Sequence, residues 1–183
     1  MPSGKRIRIL CEDRRTERFL RRLCRRYEIQ VLDAEVAPAG RGDASVWVKQ
    51  RYPTSVKQLR TRNYQQNLGL LVAVDGDNRG VHARKLELAE ELENLHLSPR
   101  GSSEPIAIFV PTWSIETWLA FLCGLPGVTE SQSLKEHSGY RALWQDGSAE
   151  AATILKAVEG WRSIDQPLPS LADAYVEAER VGL

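Results

Sequence analysis

The stretch 68-LGLLVAVDGDNRG-80 runs apolar through Val74, delivers Asp75 and Asp77 one residue apart, and breaks off in Asn78, Arg79 and Gly80. An apolar run of this length bounded by turn residues reads as a strand covered on both faces, the usual state in a parallel sheet. That assigns a strand to 68–75, with two carboxylates where the chain turns.

Outward from it, the same pattern recurs. Residues 6-RIRILCE-12 form a short strand that ends on Glu12, and Asp13 follows in a position to cap a helix. In 14-RRTERFLRRLCRRYE-28, Phe19, Leu20, Leu23, Cys24 and Tyr27 recur at helical spacing, while Arg14, Arg18, Arg21, Arg22 and Arg25 fall opposite. Residues 29–37 read as a strand, 38-PAGRGDA-44 as a loop, and the segment after Pro53 as a helix. A helix over 80–97 with Val81, Leu86, Leu88, Leu92 and Leu95 as its apolar face is expected next. Then come a strand at 106–110, a helix at 114–123 capped by Ser114, and helices around 150–161 and 170–180.

Strands alternating with helices imply parallel crossover units, because each return to the same strand direction needs a connection across the sheet. The expected fold is α/β: a Rossmann-like, mostly parallel sheet of about four strands flanked by helices (1–123), with a helical C-terminal extension packed on it (124–183). In a parallel sheet all carboxyl ends share one rim, so Glu12, Asp75 and Asp77 gather there.

Charge is distributed unevenly: residues 1–65 hold sixteen Lys/Arg against seven Asp/Glu, and residues 66–183 hold nine against seventeen. A basic N-terminal part suits a polyanionic partner. No stretch approaches the ~18 unbroken apolar residues of a membrane span, so a cytoplasmic protein without membrane contact is expected. The three cysteines, Cys11, Cys24 and Cys123, lack CxxC spacing and read as buried thiols. His82, His96 and His137 show no metal spacing, and neither a GxSxG elbow nor a GxxxxGK[ST] loop occurs. An EF-hand is excluded by Arg79 and Leu86 at loop positions that require oxygen ligands.

Paired carboxylates at a turn suit a hard divalent cation, Mg²⁺ or Mn²⁺. Asp-Gly-Asp-Asn is equally a good turn in its own right. Glu12 at the end of another strand adds weight to the site reading. The pattern 8-RILCEDRRTERFL-20 with 70-LLVAVDGDNRG-80 resembles the Toprim domain of topoisomerases, primases and overcoming-lysogenization-defect nucleases. It is most similar to small stand-alone Toprim-like proteins found beside ABC-type ATPases in bacterial anti-phage systems. Such proteins carry a further SIE-x-W stretch and a C-terminal PSL helix, matched here by 113-WSIETW-118 and 168-LPSLADAYVEAER-180.

The resemblance implies Glu12 as metal ligand or general acid/base, Asp75 and Asp77 as Mg²⁺ ligands, and Glu116 as a fourth acidic candidate. It departs at Asp13, where the family usually has Gly; this side chain caps the helix, joins the site, or marks a site that has drifted. The implied activity is Mg²⁺-dependent cleavage or nicking of DNA or RNA with an ABC-type ATPase partner, oligomer formation being open. The alternatives are a non-catalytic docking subunit of an ATPase and an RNA-processing nuclease of the small ribosomal-maturase type.

Beside the acids, Arg14, Arg15, Arg18, Arg79 and Arg84 are placed to hold phosphates. Arg21, Arg22, Arg25 and Arg26 read as a solvated face or as an extension of the same basic surface. Trp47, Tyr52 and Tyr64, interleaved with bases, suit either the core or stacking on an unpaired strand.

Overall fold

The computed structural model describes residues 4–40 and 42–183, the side chains of 63–66 excepted. Its centre is a four-stranded sheet in the order β2-β1-β3-β4, built from β1 (Arg6–Cys11), β2 (Gln30–Val36), β3 (Leu68–Ala73) and β4 (Ile106–Phe109). Every pairing is parallel, so the fold is α/β with all carboxyl ends on one rim. β3 is buried at every residue, as its unbroken apolar run requires.

Alternating side chains separate two cores. On one face Ile7, Ile9, Cys11, Leu71, Ala73 and Phe109 pack with α1 (Arg14–Arg26), α4 (Ile115–Leu122), α5 (Gly147–Gly160) and α6 (Pro169–Glu179). On the other, Leu10, Leu70, Val72, Val74 and Ile108 meet α2 (Ala44–Gln66) and α3 (Gly80–Asn94). The three cysteines are free and buried. Among the described residues no helix is long and apolar enough to cross a membrane.

α2 departs from the expected start at Pro53. It begins at Ala44, where the Asp43 carboxylate accepts from the Ser45 N–H at 2.8 Å, and it continues through Pro53. Val48, Tyr52, Val56 and Leu59 form one buried stripe against the sheet, and that packing outweighs the backbone bond the proline removes. Tyr52 is therefore core and unavailable for stacking on a base; Tyr64 lies outside the described side chains. α3 also faces differently from its expected stripe: Leu88 and Leu92 are buried with Arg84, while Leu86 and Leu95 are exposed.

The C-terminal helices share the main core. Trp161, at the end of α5, packs edge-on to Tyr175 of α6 with centroids 4.7 Å apart, and contacts Phe109, Trp118 and Phe19 at 5.7, 6.4 and 6.1 Å. One indole thus joins β4, α4, α6 and α1. The PSL segment is built around Ser170, whose hydroxyl accepts from the Trp118 indole N–H at 2.7 Å and donates to Glu130. Trp118 of the WSIETW stretch is thereby tied to the N-terminus of α6.

Candidate functional site

β1 and β3 are neighbours in register, Cys11 beside Ala73, so the residues just past their ends emerge side by side. The Asp75 N–H donates to Glu12 Oε1 at 2.9 Å, across 63 residues of sequence. Asp75 is only 8% exposed. Neither carboxylate has an ion-pair partner among the described residues.

The electrostatic consequence is direct. Burial pushes the Glu12 carboxyl up to about 7; the Asp75 N–H pulls the other way and the Asp77 charge adds to the rise. Asp75 is pushed well above the usual carboxylate range, first by burial and then by Glu12, Asp13 and Glu116. Two desolvated acids that repel one another, with more acids nearby, form a place that favours a proton or a cation.

The turn that carries Asp77 is stapled to the approach to α4. Asp77 and Trp113 exchange backbone bonds of 3.1 and 3.2 Å in an isolated antiparallel bridge, and both have positive φ, 46° and 65°. Aspartate tolerates this region. Gly76 between the aspartates has no room for a side chain, because a Cβ would lie 2.9 Å from the Pro111 carbonyl oxygen. The Asp77 carboxylate accepts from Arg84 Nη2 at 2.6 Å. Arg84 also donates from Nε to the Asp75 carbonyl at 2.8 Å and from Nη1 to Glu87 at 2.9 Å. Buried and engaged at all three nitrogens, Arg84 holds the turn's shape.

Glu116, in the first turn of α4, is 2% exposed and accepts from Arg15 through Oε1, while its Oε2 has no hydrogen-bond partner among the described residues. The hydroxyls of Thr16, Ser114 and Thr117 are in the same condition. Ser114 sits at the N-cap of α4 without making the capping bond its position suggests. Asp13 caps α1, accepting from the Thr16 N–H at 2.8 Å, which accounts for an aspartate in this place.

Glu12 and Asp75 are thus brought into contact, with Asp77 and Glu116 beside them but bonded to Arg84 and Arg15. Of the expected phosphate holders, Arg14, Arg18 and Arg79 keep side chains 70%, 60% and 56% exposed, although each pairs with a glutamate. Arg15 bridges Glu116 and Glu150. Glu150 and Lys135, which tempers the charge at Asp75, were not among the sequence candidates. Glu150 follows the Asp146 cap as an ordinary first-turn acid, so no local pattern marks it.

Among the described residues no group of three or more His, Cys, Asp or Glu side chains forms a ready metal cage. A two-carboxylate site still fits Mg²⁺ or Mn²⁺, ions that keep several waters and are commonly held by one or two carboxylates plus substrate phosphate. Glu12 and Asp75, neither in a salt bridge among the described residues, are the two carboxylates that would make such a set. Comparison with family models, curated proteins and solved structures gives no match for this chain.

Proposed function

We propose that the chain is a Toprim-like, divalent-cation-dependent phosphodiesterase that cleaves or nicks nucleic acid, with Glu12 and Asp75 as its central acids. The observation that carries this reading is the meeting of two acids from separate crossover units, the buried Asp75 giving its backbone N–H to the half-buried Glu12 carboxylate, with no salt bridge to either carboxylate among the described residues. For stability alone such a pair is a cost, since burial disfavours each charge and the neighbour disfavours it further.

A bound Mg²⁺ or Mn²⁺ supplies Lewis-acid polarisation of a phosphoryl oxygen. Glu12, held near pKa 7, is suited to move a proton at neutral pH. Asp77 and Glu116 flank the pair, Arg84 keeps the aspartate turn in place, and Arg14 and Arg18 offer exposed guanidinium groups at the entrance to the rim. The setting proposed is cytoplasmic, with an ABC-type ATPase as partner in anti-phage defence.

The test is cleavage of plasmid, single-stranded DNA and structured RNA with Mg²⁺ or Mn²⁺. Glu12→Gln and Asp75→Asn should each lower the rate about 10²–10³-fold, the scale of several kcal/mol of lost charge stabilisation. Wild-type rates in both variants would overturn the assignment.

The Asp77–Arg84 ion pair favours a second reading, a Toprim-like docking subunit whose aspartate has become structural. That reading requires no cleavage of any substrate, together with an ABC-type ATPase whose turnover depends on this chain.

A further inference from the structure

α1 leaves the rim directly after Glu12 and carries its arginines away from it. At 100° per residue, Arg14, Arg18, Arg21, Arg22 and Arg25 fall on one side of the helix, and Arg15 and Arg26 flank them. Arg15 bonds Glu150, and Arg26 donates to the Val158 carbonyl, so that flank is the seam with α5. The stripe therefore borders a groove between α1 and α5.

Two adjoining cavities occupy this groove. One, of about 280 Å³, is lined by Arg18, Arg21, Arg22, Arg25, Ala151 and Ile154. The second, of about 390 Å³, is lined by Arg22, Arg25, Arg26, Leu155, Val158 and Glu159. Arg22 and Arg25 border both, and neither makes an ion pair among the described residues. Arg18 and Arg21 are shared with Glu150 and Glu17. The floor is apolar, with Leu155 left 47% exposed.

We infer that this groove is a binding track for single-stranded nucleic acid, leading to or from the carboxyl rim. Arg18, Arg22 and Arg25 advance along α1 in steps of about 6 and 4.5 Å, which offers successive guanidinium groups to successive phosphates. Arginine matches phosphate oxygens through paired N–H donors. Unpaired bases can cover the apolar floor of Ile154, Leu155 and Val158, whereas a duplex keeps its bases stacked inside. That α1 starts at the rim, two residues after Glu12, favours a strand over an acidic protein segment, and here the inference rests on the phosphodiesterase reading.

The experiment measures fluorescence anisotropy of a labelled 12-nucleotide oligo-dT strand with EDTA present, so that binding is read without cleavage. Arg22→Ala/Arg25→Ala should weaken binding about tenfold, and the slope of log affinity against log salt should become shallower by about 1.4. Both side chains are exposed and make no ion pair among the described residues, so the melting temperature should stay at the wild-type value. Glu12→Gln should bind at least as well as wild type, and a duplex of the same length more weakly.

Unchanged binding in the double variant overturns the track while leaving the cleavage reading intact. Normal binding by a protein that cleaves nothing keeps the track and removes the cleavage reading. Equal binding of duplex and single strand removes the single-strand assignment. Polyglutamate binding more tightly than oligo-dT through Arg22 and Arg25 would reassign the groove to an acidic protein partner.

Discussion

Glu177 and Asp75, which sits beside the half-buried Glu12, are both buried carboxylates, and the protein treats them in opposite ways. Burial alone would raise the Glu177 carboxyl, but it accepts from Arg100, from Lys85 at 2.9 Å and from the Ile108 N–H at 2.9 Å, and is drawn down to about 2. Glu12 and Asp75 are pushed up first by burial and then by neighbouring acids, with one backbone N–H between them. The first arrangement ties α6 to β4, α3 and the loop before β4, and needs nothing from outside. The second has Lys135 and Arg84 acting on it through space but no salt bridge among the described residues. A carboxylate with every bond answered is architecture; a pair at the carboxyl rim without a salt bridge among the described residues is what the proposed cation site rests on.

The sharpest way to break this contrast is to neutralise each site in turn. Glu177→Gln leaves Arg100 and Lys85 facing a neutral group, and should cost about 3 kcal/mol, or about 6–12 °C in melting temperature. The sign with pH follows from the lowered pKa. The contribution of Glu177 is complete above the ordinary carboxylate value of 4.5 and is lost as pH falls toward about 2. Melts at pH 6 and pH 3 should therefore show the wild-type advantage shrinking on acidification. An advantage that grew instead would mean that Glu177 is not the paired anion described.

Glu12→Gln should act in the other direction. A raised pKa means that folding holds the proton more tightly, so wild type loses stability as pH rises from about 4.5 through about 7. Glutamine does not titrate and retains an acceptor for the Asp75 N–H. At pH 8 without divalent ions the variant should be more stable than wild type by about 3 kcal/mol, and at pH 4 nearly equal to it. Destabilisation at pH 8 would place Glu12 in the same class as Glu177.

The smallest effect belongs to Arg79→Ala. Its ion pair with Glu87 is more than half exposed on the arginine side, and Glu87 keeps Lys49 and Arg84. The melting point should move by less than about 0.5 kcal/mol equivalent. A larger loss would show that the Asp75–Asp77 turn depends on this surface contact as well as on Arg84.

The sequence made the centre of the site legible through topology. An apolar run such as LLVAV is read as a strand covered on both faces, and parallel crossovers place Glu12 and Asp75 at one rim whatever the loops do. Asp77 was less legible: its left-handed backbone and its turn toward Arg84 depend on a bridge to Trp113 and on burial of Arg84, and neither leaves a local pattern. The same holds for α3, where an arginine replaces an expected leucine in the buried stripe because it has the Asp75 carbonyl, Asp77 and Glu87 as partners. Pro53 misled as a helix start because the Asp43 cap lies upstream and the stripe of Val48, Tyr52 and Val56 carries the helix past it.

The most direct measurement of the central claim is calorimetric titration of Mn²⁺ into the wild-type chain and into Asp75→Asn and Glu12→Gln. Saturable uptake by wild type, lost in both variants while Glu177→Gln still binds, is the predicted result. Equal uptake by all four proteins, or none by wild type, would contradict the account of the rim acids as a cation site.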